Sequence, residues 1–176
     1  METALAIVLD DAEPFDAVRR DFAVETFELG IPFHVTLLYP FAPREELSDQ
    51  LVRDVGAFFA EWPPLEFALV RIAAWPDVVY AAPEPDAELR KLMGALFARF
   101  PQWPPYGGIH EEVIPHATLG EEVDAERVRP GVARRLAPHL PHRCQAQDVS
   151  LLEEYEPRRW RERERFPLAG TAKAGA

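Results

Sequence analysis

Short apolar runs alternate with amphipathic stretches along the whole chain, and their order outlines the fold. Residues 4–9 form an apolar run closed by Asp10-Asp11, the profile of a buried strand leading into a loop. Over residues 14–22 the apolar positions Phe15, Val18 and Phe22 recur at helical spacing. Gly30 and Pro32 then punctuate the chain, and residues 33–41 read as a second strand halted by Pro40 and Pro43. Residues 44–62 carry Leu47, Leu51, Val55, Phe58 and Phe59 on one stripe before Pro63-Pro64, the clearest amphipathic helix in the chain. Residues 65–73 and 78–82 are rich in strand formers, and Trp75-Pro76-Asp77 between them predicts a hairpin turn. Asp86 caps the next helix, whose apolar face is Leu89, Leu92, Met93, Leu96 and Phe97 and which ends before Pro101.

Residues 101–112, PQWPPYGGIHEE, have three prolines, two adjacent glycines and no period, so they are expected to form a loop. Residues 113–119 read as a strand and 124–140 as a helix with Val128, Val132 and Leu136 inside. Residues 146–152 read as a strand, with 158–168 returning as its hairpin partner and Trp160 and Phe166 in that hairpin's core. Strands and helices intermix with turns short enough for antiparallel pairing, which predicts an α+β fold. A single domain over residues 1–168 is expected, followed by an Ala/Gly-rich, disordered tail over 169–176.

One repeat cuts across these elements. Ile31-Pro32-Phe33-His34-Val35-Thr36-Leu37 and Ile114-Pro115-His116-Ala117-Thr118-Leu119 share His-x-Thr-Leu, each leading into a predicted strand after a nearby proline. Composition alone predicts only about 0.015 copies of that tetrapeptide, so two are not an accident. Strand side chains alternate, so His34 and Thr36 share one face while Phe33, Val35 and Leu37 share the other, and the second copy repeats the layout. If a pseudo-two-fold relates the halves, two imidazoles and two hydroxyls converge across a cleft. That set suits a phosphate, with hydroxyls donating to its oxygens and imidazoles flanking the attacking and leaving oxygens.

With HVTLLYPF at 34–41 and PHATLG at 115–120, the sequence resembles the 2H phosphoesterases, the superfamily of bacterial 2′-5′ RNA ligases and RNA 2′,3′-cyclic phosphodiesterases. The resemblance extends from the first strand to the closing segment at Trp160 to Leu168. It implies a bilobal, LigT-like fold with two pseudo-symmetric lobes, antiparallel sheets lining a central V-shaped cleft and helices outside. It also implies that His34 and His116 are general base and general acid, in an order the sequence does not give, and that Thr36 and Thr118 hold the phosphate. The implied activity is metal-independent, cofactor-free opening of 2′,3′-cyclic phosphates on RNA ends or small nucleotides, with 2′-5′ ligation as the reverse chemistry. A bell-shaped pH profile near neutrality would accompany paired imidazoles. The competing reading is a noncatalytic nucleotide- or RNA-end-binding module of the same fold; a ligase acting on tRNA halves is a third.

Charge narrows the partner. The net charge of −11 repels polyanions, so small substrates are favoured over long nucleic acid. Cys144 is the only cysteine, which excludes an internal disulfide and thiolate metal clusters. No run approaches a membrane span, and residues 1–9 lack a basic leader and meet Asp10 early, so a soluble cytoplasmic protein is expected, for which a monomer suffices. Tyr106, in the Pro/Gly loop, is the candidate base-stacking residue. His110, His139 and His142 are expected to be solvated or capping, and the six-residue spacing from His110 to His116, broken by Pro115, argues against a zinc helix. Ser48 and Ser150 sit in no nucleophile elbow. Arg71 and the arginines at 158, 159, 161, 163 and 165 are capable of phosphate contacts but interleave with Glu162 and Glu164, the pattern of a solvated face.

Overall fold

The computed structural model describes residues 1–110 and 112–171. Among the described residues, eight strands and five α-helices follow one another as β1 (Thr3–Val8), α1 (Glu13–Phe22), α2 (Val24–Glu28), β2 (His34–Leu38), α3 (Asp49–Ala60), β3 (Leu65–Ala74), β4 (Val79–Glu84), α4 (Ala87–Arg99), β5 (Ala117–Gly120), α5 (Ala125–Leu136), β6 (His142–Ala146), β7 (Asp148–Glu156) and β8 (Arg159–Pro167). They form two four-stranded antiparallel sheets, in the orders β2-β1-β7-β8 and β5-β4-β3-β6. The α+β bilobal fold expected from the sequence is the one observed.

The first sheet closes the chain on itself: Thr3 pairs with Glu153 and Ala6 with Ser150. Helices α3 and α4 lie against β8 and β2 of this sheet, and α1 and α5 against β5 and β3 of the other. Leu5, Ile7, Val35 and Leu37 of the first sheet and Leu69, Ala81, Ala117 and Leu119 of the second point into the core beneath those helices. Each large side chain buried there contributes about 1.5–3 kcal/mol. Phe15 of α1, fully buried, stacks on Phe33 at 4.9 Å and so ties α1 to the start of β2.

Several boundaries move, each for a local reason. The helix expected over 44–62 begins at Asp49, because the Ser48 hydroxyl accepts the Leu51 amide and caps it; residues 44–46 form a separate 3₁₀ turn. The helix expected over 124–140 ends at Leu136, before Pro138, and Ala137–His139 continue as a 3₁₀ turn. The strand expected over 113–119 starts only after Pro115, which has no amide to give the ladder. Asp86 sits at the N-cap of α4, but its carboxylate pairs with Arg90 at 2.6 Å rather than capping the helix.

Strand β6 is new, and with it the reading of His142 changes. This histidine is a strand residue paired with Leu69, its ring edge-on to Phe15 at 5.0 Å, not a solvated cap. Phe166 is core, as expected, whereas Trp160 is half-buried on the face away from the main core. Of the expected tail, Gly170 donates its amide to the Trp62 carbonyl at 2.9 Å; residues 172–176 lie outside the described residues.

Candidate active site

Strands β2 and β5 are edge strands of the two sheets and lie against each other. Alternation then sends each motif two ways. Val35, Leu37, Ala117 and Leu119 are buried behind the sheets, while His34, Thr36, His116 and Thr118 are partly buried and line a single cavity of about 920 Å³. The four residues singled out in the sequence are thus brought together, across 82 positions of chain between the histidines.

Both imidazoles are held by the same device. His34 Nδ1 donates to the Pro32 carbonyl at 2.7 Å, and His116 Nδ1 to the Ile114 carbonyl at 2.8 Å, in each case two residues back. A carbonyl only accepts, so the proton of the neutral ring is fixed on Nδ1 and Nε2 carries the lone pair. At His34 that lone pair accepts from the Thr36 hydroxyl at 3.0 Å. His116 is fixed from the side by aromatic rings, with Trp75 edge-on at 4.8 Å and Tyr80 at 5.6 Å.

Burial disfavours the charged imidazolium in both places. It lowers the His34 pKa to about 4, against the Pro32 carbonyl and with the help of Arg19 and of His116 itself. His116 is lowered from 6.5 for the same reason, against the Ile114 carbonyl. Both rings are therefore held neutral, the His34 Nε2 lone pair engaged by the Thr36 hydroxyl and the proton of each ring kept on Nδ1. A bound phosphate anion would oppose the depression and return a proton to the ring it touches.

Tyr106 lines the same cavity, in a 3₁₀ turn at Pro105–Gly108. Its φ of 50° is left-handed, a cost for a bulky side chain that its surroundings must offset. Part of the offset is visible: its amide donates to the Tyr39 carbonyl at 2.6 Å, and its ring meets those of Tyr39 and His110.

Arg19, which the sequence reading did not name, and His110 and Arg158, which it placed on a solvated surface, also line the cavity. Arg19 is the informative one. Its guanidinium pairs with Asp16 and donates to the Ile31 carbonyl, both at 2.7 Å, so a buried charge braces α1 against the approach to β2. The signal was an arginine inside the stripe Phe15, Val18, Phe22. Arg158 pairs with Glu25 at 2.8 Å, whereas Arg71 pairs with Glu84 away from the cavity.

The cavity rim is acidic. Glu25, Asp77, Glu112, Glu121, Glu122 and Glu154 line it, and burial pushes the Glu121 carboxyl up from its ordinary range. Among the described residues no three His, Cys, Asp or Glu side chains group as a metal-ligating set, and no helix is long and apolar enough to cross a membrane.

Two sheets facing each other across paired His-x-Thr strands define a LigT-like bilobal fold. A crystal structure of the protein TT0787 of Thermus thermophilus matches with a TM-score of 0.63 and 21% identity over 98% of this chain and 100% of that one. The Escherichia coli LigT structure complexed with 3′-AMP matches with a TM-score of 0.60 and 16% identity, covering 95% of this chain and 97% of LigT. The profile of the 2′-5′ RNA ligase superfamily matches residues 8–158, and the chain belongs to that superfamily. In sequence it is 28% identical over 97 residues to GK0864 of Geobacillus kaustophilus, a protein named as a candidate phosphoesterase. The chain spans about half the length of the curated relatives it matches.

Proposed function

We propose that this protein is a phosphodiesterase that opens 2′,3′-cyclic phosphates of small nucleotides or RNA ends with two histidines. The observation that carries the proposal is the duplicated device just described: two rings, each locked through Nδ1 to a carbonyl two residues back, lining one cavity together with two threonine hydroxyls. One neutral Nε2 takes a proton from water as its oxygen attacks phosphorus. The bond from phosphorus to one ribose oxygen breaks, and that oxygen takes a proton from the other, protonated imidazole, leaving a monoester. Thr118, and Thr36 once its hydroxyl turns from His34 Nε2, donate to the non-bridging oxygens, and Tyr106 packs against the nucleoside. Each acid or base contributes about 10²- to 10⁴-fold.

The acidic rim favours a substrate carrying one phosphate, since each further phosphate would meet another carboxylate. The likeness to LigT, crystallised with 3′-AMP, points to a nucleotide of similar size. Ligation at a 2′-5′ linkage is the same step reversed, and a monomer with both motifs in one chain suffices for it. The test is phosphorus NMR of the 2′,3′-cyclic mononucleotides in EDTA. A monoester product made by the wild type and not by His116→Ala supports the reading. Binding without turnover, equal in both proteins, would replace it by a noncatalytic nucleotide-binding module.

A further inference from the structure

Each sheet is antiparallel with its motif strand at one edge, but the two differ beside the motif threonine. In the second sheet Thr118 is paired across the ladder with Tyr80, whose ring stacks on Trp75 at 4.3 Å, and the two together enclose His116. In the first sheet the residue paired with Thr36 is Ala6. Where one lobe places two aromatic rings, the other places a methyl group.

A separate apolar cluster surrounds that methyl. Ala4, Ala6 and Leu152 pack together on the face opposite the main core, flanked by Tyr39 and Trp160. Ala4, Leu152, Tyr39 and Trp160 all line the cavity that holds the histidines. The result is a shelf whose surface is the half-buried rings of Tyr39 and Trp160, with centroids 6.4 Å apart and tilted by 58°, set on a closed base of Ala4, Ala6 and Leu152, each at most 6% exposed. Partly exposed aromatic surface beside polar groups is the usual make-up of a ligand site.

Two carboxylates stand at the shelf's edge. Glu2 accepts the Tyr39 hydroxyl at 2.6 Å. Glu154, opposite Trp160 in the ladder, accepts the Arg158 amide at 2.8 Å and the Glu2 amide at 3.4 Å. Each Glu154 oxygen keeps accepting capacity, because a carboxylate offers about four lone-pair sites.

Resting on the reading of the cleft as a cyclic-nucleotide site, we infer that this shelf takes the nucleobase and that Glu154 selects bases presenting amino donors, guanine first. Guanine carries N1–H and N2–H side by side, matching the two oxygens of one carboxylate. Adenine and cytosine offer an amino group alone. Uracil sets its N3–H between two carbonyl oxygens, which a carboxylate repels. The base therefore lies on the His34 lobe, against Trp160, and leaves Trp75 to His116.

The probes are guanosine and uridine, which carry no phosphate, followed through the indole N–H resonances of Trp160 and Trp75, assigned by Trp160→Phe. Guanosine is expected to shift Trp160 and not Trp75 and to bind about tenfold or more tighter than uridine, with Glu154→Gln shrinking that ratio towards one. Equal binding of the two nucleosides, or a shift at Trp75 alone, would overturn the shelf. The kcat/KM ratio of 2′,3′-cyclic GMP to 2′,3′-cyclic UMP gives the second readout. Turnover without base preference sinks the shelf and spares the phosphodiesterase; guanosine binding at Trp160 without turnover of any cyclic phosphate does the reverse.

Discussion

Holding His34 neutral should leave a signature in stability that needs no substrate. In the unfolded chain the ring titrates at its ordinary 6.5, and in the folded cleft at about 4. Below pH 6.5 the unfolded state therefore binds the proton that the folded state refuses, so stability falls as pH drops through this window and levels off below about 4. From pH 8 to pH 4.5 the loss from this one residue is about 2–3 kcal/mol. Carboxylates also titrate near the lower end, so the wild type must be compared with His34→Gln, which keeps polarity but cannot titrate. Urea unfolding at pH 8, 6, 5 and 4.5 gives the two curves, and the wild type should lose about 2–3 kcal/mol more than the variant over that range. Parallel curves would mean that His34 titrates normally in the folded protein, and the desolvated, lone-pair-forward reading of the ring would fail.

Other consequences follow from the same geometry. Because kcat/KM reports the free enzyme's groups and burial lowers both, its pH profile should hold down to about 4 and begin to fall before 6.5, acid of the neutral optimum read from the sequence; a plateau through pH 8 would contradict this. Glu153, 1% exposed, accepts from Arg161 and Arg163 and lies 3.5 Å from Arg44. Its carboxyl stays below the ordinary range despite burial because of Arg161 and Arg163. Glu153→Gln should cost about 2–3 kcal/mol, less than a fully buried pair because the arginines keep 33–55% exposure, with an unchanged urea m-value; a loss under about 0.5 kcal/mol would show the cluster to be idle. Tyr106→Gly relieves the left-handed backbone and removes the ring, so stability should stay within about 1 kcal/mol while KM rises more than kcat falls; an unaltered KM would remove Tyr106 from the site.

What the sequence disclosed and what it withheld divide along the range of the interactions. His-x-Thr placed His34 and Thr36 on one face and Val35 on the other because strand alternation is a local rule. Helix faces were legible for the same reason in α3 and α4. The pairing of β1 with β7 was not, because nothing local in Thr3 announces Glu153. β6 was missed because Pro141 and His139 read as a helix end, while Leu69, which pairs with His142, lies far back in the chain. Trp160 looked like hairpin core until the fold set it beside Tyr39 over Ala4. Arg19 was hidden by its chemistry: a charge within an apolar stripe becomes readable only once Asp16 and the Ile31 carbonyl are seen to surround it.

The central claim is that two imidazoles act on one phosphorus in one step, and a double-mutant comparison tests it most directly. Hydrolysis of a 2′,3′-cyclic nucleotide in EDTA would be measured for the wild type, His34→Ala, His116→Ala and the double variant. Each single change should cost about 10²- to 10⁴-fold, and the double variant should be little slower than the worse single, as expected of residues that work as a unit. Single variants within tenfold of the wild type would contradict the claim, as would losses that simply multiply.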